Sequence, residues 1–218
     1  MTRIILVEDH KIVRQGMKLM FDQEPGFEVI ADFDNGEAFS GYMYRMPKED
    51  LRPFVLILDI SLPGKSGFEI LRMMKSQHPK IPVLVLSMHP EELMAVRSLR
   101  AGASGYLNKD AEPEVLKTAT KLIGTGGKHI SSSVSHQLVN QLRGNADKLP
   151  HEKLSEREFE VFLLLGAGLS NKEISEHLSL SSKTVSTYKM RILDKLELAG
   201  IGDLVKYMLT HSLSDLKP

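Results

Sequence analysis

Five short apolar runs recur through the first half of the chain, each followed by a stretch with helical spacing. They are residues 3–7 (RIILV), 28–33 (EVIADF), 54–58 (FVLIL), 82–87 (PVLVLS) and 104–107 (SGYL). Several are apolar on consecutive residues, as in strands buried on both faces of a parallel sheet. The intervening segments 10–22, 37–45, 67–77, 90–101 and 113–123 carry helix signals. Pro90 and Pro113 suit first helical turns, and Gly102 suits a C-terminal stop. Five β-α units in series imply an α/β fold: a flavodoxin-like, doubly wound, five-stranded parallel sheet.

The pattern changes after residue 123. "GTGGK" breaks the chain, a helix is expected over 132–142, and polar "RGNADKLPHEK" follows. Residues 124–153 read as a linker with one helix, between domains 1–123 and 154–218. The last part reads as a C-terminal all-α domain of four helices containing a helix-turn-helix. Ser155 with Glu158 and Ser170 with Glu173 form capping boxes. Gly166 and Gly168 close one helix, Ser181 or Ser182 opens another, and a last helix is expected over 203–211.

Composition excludes some classes. No apolar run reaches the roughly 18 residues of a transmembrane helix, so no membrane association is expected. The N-terminus reaches Glu8-Asp9 too soon for a signal-peptide core, and the absence of cysteine removes disulfides and thiolate metal sites. A cytoplasmic location is the expectation. Net charge is zero, but Lys183, Lys189, Arg191 and Lys195 fall in one segment opposed only by Asp194. The whole-chain balance is therefore a weak argument against nucleic acid. The eight histidines show no metal-ligand spacing.

In a parallel α/β sheet, chemistry gathers at the carboxyl ends of the strands. Glu8 and Asp9 follow the first run and Asp59 the third. Strands one and three are neighbours in this topology, so three carboxylates converge. Together they need a cation, and oxygen-only ligands favour Mg²⁺. Ser87 ends the fourth run, and Lys109 follows the fifth. A carboxylate nucleophile, a hard cation, a hydroxyl and an ammonium suit the acceptance of a phosphoryl group. Taken singly, each residue is more readily a helix cap or a solvated loop residue than a functional one; the set in order is what points to chemistry.

These residues carry a resemblance. "VEDH", "LDISLPGKSG", "LSMH" and "RAGASGYLNKD" resemble the receiver domain of two-component response regulators over the first 123 residues. The resemblance implies Asp59 as phosphoacceptor, with Asp9, Glu8 and the Ser61 backbone carbonyl completing the Mg²⁺ ligands. It implies Ser87 and Tyr106 as a switch pair and Lys109 as a partner of the phosphoryl oxygens. Residues 41–53 (GYMYRMPKEDLRP) are longer than the family pattern, as an extended helix or a loop; packing is the preferred reading of their two Tyr and two Met.

"LSEREFEVFLLLGAGLSNKEISEHLSLSSKTVSTYKMRILDKL" resembles the LuxR-type helix-turn-helix of NarL/FixJ-type regulators. Val185, Ile192, Leu193 and Leu196 read as its packed face. Lys183, Thr184, Ser186, Thr187, Tyr188, Lys189, Met190, Arg191 and Lys195 are the expected DNA-contacting set. Basic side chains would hold phosphates, and Ser186, Thr187 and Met190 are the ones expected to reach base edges.

The implied protein is a DNA-binding transcriptional regulator phosphorylated at Asp59 by a sensor histidine kinase. It would dimerise on activation and bind paired promoter half-sites on double-stranded DNA, with RNA polymerase as a candidate further partner. Two alternatives stand beside it. One is a phosphatase using Asp59 as covalent nucleophile; such hydrolases of the haloacid-dehalogenase type need a carboxylate two residues on, and Ser61 stands there. The other is a DNA-binding protein with a vestigial receiver, against which the intact acidic set argues. A non-enzyme is expected, apart from slow autodephosphorylation.

Overall fold

The computed structural model describes residues 1–46, 52–142, 149–211 and 213. The chain divides into two compact units, Met1–Leu138 and Val139–Pro218.

The first unit is built from β1 (Thr2–Val7), α1 (Lys11–Asp22), β2 (Phe27–Phe33), α2 (Gly36–Arg45), β3 (Val55–Asp59), α3 (Gly67–Gln77), β4 (Val83–Ser87), α4 (Glu91–Ala101), β5 (Gly105–Asn108) and α5 (Pro113–Gly124). All five strands are parallel, in the order β2-β1-β3-β4-β5. Strand order reverses between β1 and β3, which opens a crevice at their carboxyl ends. Every residue of β3 and β4 is buried, which is why those segments are apolar without alternation. One face of the sheet, with Ile4, Leu6, Ile57, Leu84 and Leu86, packs on Met17 and Phe21 of α1 and Leu116, Ala119 and Ile123 of α5.

Helix boundaries follow local chemistry. Ser66 and Glu69 make a capping box that starts α3 directly after the β3 loop. Pro113 occupies the first turn of α5, as its spacing implies. Pro90 instead stands one residue outside α4, in the extended conformation of an N-cap. Gly102 ends α4 at φ 114°, a left-handed conformation that favours glycine. Of the longer stretch 41–53 expected before β3, residues 47–51 lie outside the described residues. Of its aromatics, Tyr42 packs on Phe33 at 5.1 Å, whereas Tyr44 is exposed.

The expected helix α6 runs over Ser132–Leu142. The flanks of the expected linker are engaged with their own units. His129 donates its backbone N–H to Ser104 at 3.0 Å and bridges to Gly105 beside β5. Residues Pro150–Lys153 form a 3-10 turn whose buried His151 places its Nδ1 3.0 Å from the Tyr207 hydroxyl.

The second unit continues with α7 (Glu156–Gly166), α8 (Asn171–His177), α9 (Ser182–Leu196) and α10 (Ile201–Thr210). Both expected capping boxes are present, and Ser181 is the N-cap of α9. The helices are unequal: α8 has 7 residues and α9 has 15. Val185, Ile192 and Leu196 bury one stripe of α9, and Leu193 is half-buried at its edge.

Candidate functional site

The carboxyl ends of four neighbouring strands converge. Glu8 follows β1 and is buried, Asp59 ends β3 and is buried, Ser87 ends β4 and is buried, and Lys109 follows β5. The Lys109 ammonium joins them. It donates to Asp59 Oδ2 at 2.7 Å and to Glu8 Oε1 at 2.9 Å, and lies 2.7 Å from Glu8 Oε2. One cation thus faces two buried carboxylates, and Asp9 adds a third acid 28% exposed at its side chain.

Loop backbone shapes the rest. Ser61 donates its N–H to Asp59 Oδ1 at 2.9 Å, which fixes the carboxylate against the β3–α3 loop. Glu37, on α2, accepts the Lys65 N–H at 2.9 Å and ties that loop down. Across the site, the Ser87 hydroxyl accepts the His89 N–H at 3.1 Å. The His89 carbonyl accepts from the Tyr106 hydroxyl at 2.6 Å and from Asn108 at 3.2 Å. The Tyr106 ring is buried, so in this structure the aromatic lies inward and its hydroxyl holds the loop after β4.

Burial pushes the Asp59 carboxyl up to about 6, the nearby Lys109 ammonium opposing this and the Glu8 charge adding to it. Burial lowers Lys109, but Asp59 and Glu8 outweigh it and hold the ammonium above its ordinary range. A carboxyl that titrates higher when folded contributes stability below its unfolded value near 3.8 and loses it as pH rises through about 6. Above that, the metal-free protein carries the Asp59 charge as a net cost. Asp59→Asn, melted in chelator at about pH 7.5, is expected to be more stable by on the order of 1–2 kcal/mol, a gain that fades by about pH 4. A variant no more stable than the parent at the higher pH would count against burial as the dominant cause.

The acid cluster fits a divalent cation. Ligand atoms of Glu8, Asp9, His10 and Asp59 lie within 4.8 Å of one another. Asp9 Oδ1 is buried without a hydrogen bond and lies 2.9 Å from His10 Nδ1. His10 is an addition that sequence spacing did not show. Arg14 is another: its Nη1 donates to the Glu8 carbonyl at 2.6 Å and its Nε to Asp32 at 3.2 Å, holding the turn that carries Glu8 and Asp9. Arg14 and Lys18 stand four apart in α1 and both reach Asp32 at the end of β2, a pattern the sequence carried.

The second unit holds the basic surface. Lys183, Thr184, Thr187, Tyr188 and Arg191 line one open groove of about 320 Å³ with Ser181. Met190 is 66% exposed beside them. Three residues of the expected DNA-contacting set stand elsewhere. Ser186 is half-buried and accepts a hydrogen bond from Asn171 of α8 at 3.1 Å. Lys189 is half-buried at the helical spacing of Val185, Ile192 and Leu196. Lys195 pairs with Glu158 at 2.6 Å across α7 and α9. Burial would raise Glu158, but Lys195 and the Ser155 amide outweigh it and hold the carboxyl below its ordinary range.

Comparisons with known proteins agree with this division. Residues 4–121 match the family described as response regulator receiver domain, and residues 152–208 match the bacterial regulatory proteins of the luxR family. The chain is 33% identical to the response regulator GacA of Pseudomonas protegens over 99% of both chains. It is 31% identical to the response regulator UvrY of Escherichia coli over 98% of this chain and 96% of that one. Among solved structures it resembles RcsB of Salmonella typhimurium, at 25% identity and a TM-score of 0.67, over 96% of this chain and 97% of that one. RcsB bound to the promoter rprA with the phosphomimetic BeF3⁻ matches at 25% identity and a TM-score of 0.62, over 95% of this chain and 98% of that one. No helix among the described residues is long and apolar enough to cross a membrane. Five parallel strands carrying an acidic crevice, followed by a helix-turn-helix with a basic groove, thus belong to a two-component response regulator of the NarL/FixJ type, a receiver domain joined to a LuxR-type DNA-binding domain.

Proposed function

We propose that Asp59 receives a phosphoryl group from a sensor histidine kinase and that this switches promoter binding by the C-terminal domain. The observation that carries it is the Lys109 ammonium between Asp59 and Glu8, at strand ends that also present Ser87. In the step, an Asp59 oxygen attacks phosphorus and a P–O bond forms as the donor's P–N bond breaks. The donor imidazole keeps the electron pair. Lys109 neutralises charge on the transferred oxygens, and the buried Ser87 hydroxyl donates to one of them. A Mg²⁺ ion held by Glu8, Asp9, Asp59 and the Ser61 carbonyl would supply further charge neutralisation.

In this reading residues 1–123 are the receiver, 124–153 the connection and 154–218 the DNA-binding domain. Tyr106 and Ser87 are the switch pair, since both bond to the His89 backbone ahead of α4. The activated form is a homodimer, whose two α9 helices bind paired half-sites in the major groove. One helix makes few contacts, so pairing supplies affinity that a single domain lacks.

The groove residues give the test. Arg191→Ala is expected to weaken binding to every DNA sequence and to reduce the salt slope by about one ion. Thr187→Ala should change sequence preference while leaving the slope alone. Binding measured against salt on specific and random duplexes separates the two. An unchanged slope for Arg191→Ala would remove α9 from the interface.

A further inference from the structure

We propose that the cavity beneath the amino ends of β1, β3 and β4 is a second ligand site, and that it takes a small organic polyanion: two or more phosphate groups on an apolar or ring-shaped body, as in a nucleoside polyphosphate. It lies at the opposite edge of the sheet from the acidic crevice and shares no residue with it.

The cavity holds about 540 Å³, the size of a small-molecule site. Its walls are the starts of three strands and the ends of three helices. Thr2 opens β1, Val55 opens β3 and Val83 opens β4, while Lys75, Arg100 and Gly124 stand at the ends of α3, α4 and α5. Strand β3 runs from Val55 to Asp59, so about 13 Å of strand separates the cavity from the phosphoacceptor.

Charge is the main argument. Arg3, Lys75, Lys80, Arg100 and Lys128 line the cavity, and no Asp or Glu does. The chain as a whole is balanced at 28 basic and 28 acidic residues, so the excess is local. Other cations of this domain meet acids: Lys18 meets Asp32, Lys109 meets Asp59 and Lys117 meets Glu24. Among the described residues, the side chains of Arg3, Lys75, Lys80 and Lys128 have no ion-pair or hydrogen-bond partner. Glu28 is the register neighbour of Arg3 on β2, but it does not line the cavity. Helix dipoles explain part of the excess, since Lys75 and Arg100 stand in the last turns of α3 and α4, where a cation is favoured without any ligand. They do not explain Arg3 on β1, Lys80 in the turn before β4 or Lys128 beyond α5. Walls of one sign around a concave site focus the field and draw the opposite charge.

The same walls include buried Phe54, Ile81 and Ile123, with Pro53, Pro79 and Pro82. They suit an apolar or ring-shaped body, which inorganic phosphate lacks. Gly126, Gly127 and Lys128 form another part, on the segment that leads from α5 towards α6. The His129 N–H on the Ser104 carbonyl pins that segment. A ligand here bears on the start of the connection to the second domain.

The experiment uses the full chain in chelator, which keeps metal out of the acidic crevice. Trinitrophenyl-ATP, which fluoresces in apolar surroundings, is the probe, and its displacement by ATP, by pyrophosphate and by a random DNA duplex is followed. The parent is expected to bind one probe per chain and to prefer ATP over pyrophosphate by about tenfold or more. Lys80→Glu and Lys128→Glu change exposed residues outside helices and strands, and each should weaken probe and ATP by about tenfold. Arg191→Ala, in the groove of α9, should leave both unchanged. No binding by the parent removes the site, and pyrophosphate competing as well as ATP overturns the ligand class. Binding lost in Arg191→Ala but kept in Lys80→Glu puts the probe in the α9 groove and overturns the proposal. Duplex DNA that displaces the probe equally from the parent and from Arg191→Ala makes the basic wall a DNA surface, which overturns it too.

Discussion

Asp59→Asn is expected to abolish incorporation of phosphate from acetyl phosphate and Mg²⁺. The parent should gain one base-labile acyl phosphate per chain, and the variant none above background. The step needs a carboxylate oxygen as nucleophile, and an amide supplies none. Asp59 is also the one carboxylate of the crevice that ends the central strand β3, with both oxygens fixed: Oδ1 by the Ser61 N–H and Oδ2 by Lys109. Glu8, buried against Lys109, and Asp9 beside it are the alternative acceptors in the crevice. Labelling that survived in Asp59→Asn would point to Glu8 or Asp9 and sink the assignment. Loss of labelling is separated from unfolding by melting the variant, which is expected to be at least as stable as the parent at neutral pH because the buried charge is gone. That stability gain, measured in chelator, is the internal control.

The strands and most helix ends could be read from the chain because their causes are local. An apolar run buried on both faces shows no alternation, and β3 and β4 show none. Ser155 with Glu158 and Ser170 with Glu173 close their capping boxes within four residues. Crevice residues were legible for a related reason: each ends or directly follows a strand, and topology brings strand ends together. What stayed hidden depends on partners far away in sequence. Lys195 looks like one more basic residue of α9 until Glu158, 37 residues earlier, is found against it. Ser186 looks free until Asn171 reaches it. The ring of His10 is adjacent to the acids in sequence, but spacing does not say which way an N-cap side chain turns.

The second large effect concerns a glycine. Gly67→Ala is expected to cost about 2–3 kcal/mol and to weaken phosphate incorporation as well. A Cβ built on Gly67 would stand 2.3 Å from the Asp59 carbonyl oxygen and 2.6 Å from Ile60 Cα. Both are backbone atoms, so no side chain can swing away to make room. Gly67 also donates its N–H to the Ile60 carbonyl at 3.2 Å, which seats the first turn of α3 on the end of β3. The added methyl must therefore push α3 and the 60–66 loop away from Asp59, and Ser61 moves with them. Gly41→Ala is the matched control. Its Cβ meets nothing nearer than Arg45 Nη1 at 3.6 Å, an ordinary contact, and it lies within α2. There alanine should add up to about 1 kcal/mol through helix propensity. Chemical denaturation of both variants, with acetyl phosphate labelling at a temperature where both are folded, reads the two effects separately. If Gly67→Ala were as stable as the parent, α3 would not be seated on the phosphoacceptor strand as closely as the structure has it. If it were destabilised but labelled normally, the position of the loop would not govern the chemistry at Asp59.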